Sequence, residues 1–194
     1  MEKIKISKGS GKMADIGSIN SSPLNNPFCL KMSKTDTVCA ACYSIKSLTT
    51  YRKNCNKSWS DNGRILSEKE HKVSDMPRLN AAIFRIHSHG ELINKTHARN
   101  IFRLAKRNPN TTFGFWSKRK DILKGMHVPK NVVMIYSNPK LDKVVTRPPA
   151  GFHKVFNVVT DESVAEINCG ARDCMSCQRC YSRATTKVIV EKKK

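Results

Sequence analysis

Asn131-Val132-Val133-Met134-Ile135-Tyr136-Ser137 sets four aliphatic or thioether side chains in a row between polar ends. A run this short reads as a strand, and apolar side chains at consecutive positions bury both of its faces, as in a parallel sheet. Upstream, Thr111 to Ser117 is a second strand, aromatic and β-branched, followed by a short helix over Lys118 to Lys124. Further upstream, Ala81 to His87 is a strand. A helix over Ile93 to Arg107 follows it, with Ile93, Ile101, Leu104 and Ala105 on one face and Asn108-Pro109 as its stop. Lys154 to Thr160 supplies another strand downstream. Alternating strands and helices imply β-α-β units, because parallel neighbours need a crossover between them. The fold class expected is α/β, a partial, mostly parallel (β/α) barrel-like sheet of four or five countable strands.

In such sheets the residues that do chemistry collect beyond the carboxyl ends of the strands. His87-Ser88-His89-Gly90-Glu91, Ser117-Lys118-Arg119-Lys120, Ser137-Asn138-Pro139-Lys140 and Thr160-Asp161-Glu162 all fall there, so they should share one rim. The organisation expected is a single domain over 1–194, with an irregular lead-in at 1–28 and a β/α core at 29–168. A cysteine loop at 169–183 and a basic tail at 184–194 complete it. The helix after Cys42 carries Tyr43, Ile45, Leu48 and Tyr51, with Asn62-Gly63 as its end.

The chain has 194 residues and a formal charge of +21, from 36 Lys and Arg against 15 Asp and Glu. A field of that sign attracts polyanions, DNA or RNA, through salt-sensitive contacts. No helix-turn-helix, ribonucleoprotein motif or zinc-finger spacing accompanies it. No apolar run is long enough to cross a bilayer, and Met1-Glu2-Lys3-Ile4 opens a mixed segment unlike a secretory signal. The expectation is a cytoplasmic protein with no membrane partner. Glycine-rich nucleotide loops, nucleophile elbows and paired-carboxylate signatures are absent, which argues against hydrolases built on them.

Eight cysteines form two groups, Cys29, Cys39, Cys42 and Cys55, then Cys169, Cys174, Cys177 and Cys180. In a reducing compartment such a set points to metal rather than disulfides. The second group has gaps of four, two and two residues, a dense run that favours an iron–sulfur cluster, with zinc as the alternative. Cys55 lies thirteen positions past Cys42, about 20 Å away along an unbroken helix, which makes it a core or supporting thiol. The first group then leaves one iron without a protein thiolate, free for substrate, cofactor or water. Among the histidines only His89, beside Glu91 at a strand tip, is a candidate for chemistry.

Cys39-Ala40-Ala41-Cys42-Tyr43, preceded by Cys29, resembles the three-cysteine loop of the radical S-adenosylmethionine enzymes. Gly90-Glu91 resembles that family's glycine-glutamate element, which contacts the methionyl amine of the cofactor, and the terminal cysteines resemble its auxiliary cluster site. The order of Asn26-Pro27-Phe28-Cys29, Cys39 to Tyr43, His89-Gly90-Glu91, Trp116-Ser117-Lys118-Arg119 and the last four cysteines also resembles a phage-encoded cysteine-rich family of unassigned role. The resemblance implies a trimmed radical-enzyme barrel in the host cytoplasm, with one or two [4Fe–4S] clusters, S-adenosylmethionine and an external electron donor. It implies metal ligation by Cys29, Cys39, Cys42, Cys169, Cys174, Cys177 and Cys180. Gly90, Glu91, Ser117 and Lys118 would touch cofactor, and Glu91 and His89 would be catalytic. Against the family pattern, nine residues separate Cys29 from Cys39 and Ala41 stands where an aromatic residue is usual. The reading from a different class is a non-enzymatic nucleic-acid-binding protein braced by iron–sulfur or zinc centres.

Overall fold

The computed structural model describes residues 2–193, so Met1 of the opening segment and Lys194 of the basic tail lie outside it. Among the described residues six strands form one open sheet in chain order: β1 Gly17–Ile19, β2 Ile83–Ile86, β3 Thr112–Ser117, β4 Val132–Ser137, β5 Lys154–Val159 and β6 Val188–Lys192. Every neighbouring pair is parallel. The helices are α1 Pro27–Met32, α2 Tyr43–Thr49, α3 Cys55–Glu68, α4 Lys95–Arg107, α5 Lys120–Leu123 and α6 Cys174–Cys177.

Side chains alternate across each strand and so build two different faces. Phe84, Ile86, Phe113, Phe115 and Met134 join Ile65 and Leu66 of α3 and Ile101, Leu104 and Ala105 of α4 in the main core. Fully burying a side chain such as Ile101 or Leu104 contributes about 1.5–3 kcal/mol, so this seam anchors the sheet. On the other face Ile83, Trp116, Val133 and Ile135 meet Ile16 and Tyr181, with Cys174 and Cys180 packed alongside. The β5-to-β6 connection therefore crosses the face opposite the main helices, carrying the second cysteine group with it.

The structure departs from the sequence reading at both ends of the chain. The lead-in holds β1, whose Ile19 is fully buried against its neighbours, and α1 begins at Pro27 within it. The supposed basic tail holds β6, with Ile189 and Val190 buried in the edge strand. Three- and five-residue strands flanked by polar residues carry too little alternation to be seen without their partners. The helix after Cys42 also breaks, over Thr50 to Asn54, and α3 then runs through Asn62-Gly63 instead of ending there. Asn62 is buried and its amide joins distant segments, accepting from Lys5 N at 2.8 Å and donating to the Lys5 and Asn20 carbonyls. Gly63 sits where a β-carbon would stand 3.2 Å from Ile93. Tertiary contacts thus override the turn preference of that pair.

Candidate functional site

The tips of β1 and β2 are clasped together. Ser21 Oγ donates to the Glu91 carbonyl at 2.9 Å, Glu91 N donates back to it at 3.2 Å, and His89 N donates to Asn20 Oδ1 at 3.0 Å. Gly90 adopts φ +80°, and a β-carbon there would lie 1.9 Å from the Ser21 carbonyl oxygen, so only glycine permits the approach. Asn26 caps α1 by accepting from Phe28 N and Cys29 N, while its amide donates to the Glu91 carbonyl at 2.8 Å. One buried asparagine therefore sets the position of Cys29 relative to Glu91.

The Glu91 carboxylate is itself consumed by the protein, accepting from Ser117 Oγ at 2.7 Å, Lys118 N at 2.7 Å and Leu92 N at 2.8 Å. Burial pushes its pKa up, opposed by the Lys118 charge and these hydrogen bonds. Lys118 Nζ reaches on to Ser137 Oγ at 2.9 Å, linking β3 to β4, and Val38 N donates to the Pro139 carbonyl at 2.8 Å, drawing the Cys39 loop over the same rim.

Beneath that rim lies a cavity of about 700 Å³. Cys29, Cys39, Cys42, Cys169, Cys174, Cys177 and Cys180 all line it, together with Gly90, Glu91 and Lys118. Cys55 does not, despite the break in the helix before it. All eight cysteines are unpaired thiols. Burial raises the Cys29 pKa most, followed by the charges of Glu91, Cys42 and Cys39, and burial likewise raises Cys39. Cys180 is pushed up to about 12 by burial, with Cys169 and Cys174 raised for the same reason. Thiols held protonated this way become thiolates when a metal takes the place of the proton.

Among the described residues no three His, Cys, Asp or Glu side chains stand close enough to share a single metal ion. One tetrahedral ion with Zn–S bonds near 2.3 Å draws its thiolates to within roughly 4 Å of each other. A cluster that interposes its own iron and sulfide takes thiolates set further apart than a single ion does.

Not every expected residue faces this space. His89 turns away from the cavity, its ring stacked 4.3 Å from Trp59 with Nδ1 3.0 Å from Ser44 Oγ, and burial lowers its pKa to about 4. Its place is in the packing beneath α2. Ser117 also lies off the cavity and serves Glu91 instead. Conversely, Arg85 lines the cavity unforeseen. Its guanidinium lies 3.9 Å over the Trp116 ring, Nη1 donates to Met13 Sδ at 3.1 Å, and Nε has no partner. Among the described residues no carboxylate pairs with it. Its charge opposes the rise of the Cys174 and Cys180 thiols. The one signal in the sequence was a lone cation inside the apolar strand Ile83-Phe84-Arg85-Ile86.

Among the described residues no helix is long and apolar enough to cross a membrane. No curated protein and no solved structure matches the chain. A family model described as gene product 88 matches residues 5–194, and the match is to that family rather than to the radical S-adenosylmethionine enzymes. With nearly its whole length covered, the chain belongs to the gene product 88 family.

Proposed function

We propose that the protein is an iron–sulfur protein with a radical-enzyme-like core. Cys29, Cys39 and Cys42 would hold a [4Fe–4S] cluster with one iron free of protein thiolate, and Cys169, Cys174, Cys177 and Cys180 would hold a second cluster. The observation that carries this reading is that these seven cysteines line one cavity, brought there from opposite ends of the chain, while the eighth is left out. Bound there, the first cluster would supply redox or Lewis-acid chemistry, with electrons from an external donor.

The chain's own residues shape what meets that cluster. Because the Glu91 carboxylate is occupied by three donors, the Gly90 backbone is the part of this tip that a ligand amine, such as that of S-adenosylmethionine, would meet. Lys118 offers positive charge at the same wall, and the cation of Arg85, with no carboxylate partner, suits a second thiolate cluster that carries negative charge. Zinc at the last four cysteines, the alternative occupant, would need those thiols drawn closer together than they stand.

Anaerobic purification with iron, sulfide and zinc analysis tests the reading. The expected result is brown protein, absorbing near about 400 nm and bleached by dithionite, that loses roughly half its iron in Cys174→Ser. Colourless protein carrying zinc alone would overturn it.

A further inference from the structure

From Thr37 to Ser60 the chain carries Lys46, Arg52, Lys53 and Lys57 and not one carboxylate. Lys57 pairs with Asp61, so Lys46, Arg52 and Lys53 remain as cations without carboxylate partners among the described residues. Two aromatic rings stand out in the same segment, Tyr43 at 60% exposure and Tyr51 at 76%. Tyr43 also lines the cavity, and its hydroxyl donates to the Ser88 carbonyl, so it marks the mouth. Arg52 lies 5.7 Å over the Tyr51 ring and donates to Ser10 Oγ at 3.3 Å, and Ser10 is again a cavity residue. Exposed aromatic rings and cations thus occur together along α2 and the turn that follows it, with Tyr43 at the cavity mouth.

The charge continues inward. Lys12, Lys118, Lys192 and Lys193 line the cavity, whereas its carboxylates are engaged: Glu91 by three donors, Asp173 in capping α6, and Glu191 facing Lys12 at 4.0 Å. Positive potential therefore leads from the outer surface into the site.

We infer that the strip from Tyr43 to Tyr51 binds single-stranded nucleic acid, with bases stacked on the two tyrosines and phosphates on Lys46, Arg52 and Lys53. Stacking needs bases with free faces, which a duplex withholds and a single strand offers. An acidic polypeptide would meet the cations but leave the exposed faces of both rings uncovered, and a bilayer would need an aliphatic patch that this segment lacks. That the strand is the substrate, presented to the cavity across Tyr43, rests on the cavity being the reactive centre proposed above.

The test is fluorescence anisotropy with the whole protein and a fluorescein-labelled oligothymidylate, with duplex DNA and polyglutamate as competitors, on samples whose iron content is measured in parallel. Tyr51→Ala is expected to weaken binding about tenfold, within the range for loss of one stacked base. Arg52→Gln with Lys53→Gln should reduce the slope of log affinity against log salt by about 1.4. Tyr51 and Lys53 are exposed and Arg52 is half-buried, and a thermal melt checks that each variant is folded. Wild-type affinity in folded Tyr51→Ala, or displacement by polyglutamate as readily as by the oligonucleotide, would overturn the assignment. Iron-free protein that binds with the tyrosine dependence keeps this inference and removes the cluster reading. Iron-loaded protein that does not bind does the reverse.

Discussion

Ser117 Oγ donates a 2.7 Å hydrogen bond to Glu91 Oε1, from the tip of one strand to the loop beyond its neighbour. With Lys118 N and Leu92 N it makes Glu91 the acceptor that ties the rim together. In Glu91→Gln one of these three donors meets an amide NH₂ instead of oxygen. A loss of about 1–3 kcal/mol is expected, read as a lower urea midpoint at unchanged slope. An unchanged midpoint would show that the three bonds do not form together in solution.

Gly114 bears on the second cysteine group. A β-carbon there would stand 2.8 Å from Tyr181 Cε1 and 2.7 Å from the Trp116 ring. Gly114→Ala is therefore expected to push Tyr181 off the sheet, costing about 1–3 kcal/mol. Trypsin should then cut faster after Arg179 or Arg183, while the main core between α4 and the sheet keeps its protection. Equal cleavage rates would mean that Tyr181 does not hold the loop down.

Cys55 separates the cavity set from mere cysteine content. Its thiol lies outside the cavity, so if the proposed clusters form, Cys55→Ser should retain as much iron and sulfide as the wild type. Iron loss equal to that of Cys29→Ser would place Cys55 among the ligands.

Folding stability should fall in acid. His97 is wholly buried, and burial lowers its pKa to about 3, while His87, whose ring lies 5.3 Å away, is held well below its usual value mainly by the same cause. A histidine kept neutral by the fold binds its proton first in the unfolded chain. Its stabilising contribution is complete above pH 6.5, the ordinary value, and is lost as pH falls toward 3. The slope is about 1.4 kcal/mol per pH unit for each such group. His97→Gln should flatten the dependence of the urea midpoint on pH below 6.5, and an unaltered slope would assign the acid sensitivity elsewhere.

Residue pattern alone carried the middle of the fold. Val132 to Tyr136 and Thr112 to Ser117 are strands because their apolar side chains must be covered on both faces, and α4 is a helix because Ile101, Leu104 and Ala105 recur on one side of it. It also singled out the two cysteine groups, whose residue types and spacing motivate the metal proposal.

What it could not carry depends on distant partners. Gly17-Ser18-Ile19 and Val188 to Lys192 become strands because β2 and β5 offer them edges, an interaction absent from their own few residues. The break after Thr49 and the passage of α3 through Gly63 follow from what Asn62 and Gly63 meet in space. Whether His89 faces the cavity or the Trp59 ring, and whether Arg85 lies inside, was settled by how parallel strands bring their tips together. Periodicity reports that a side chain is covered, and only the packed chain determines by what.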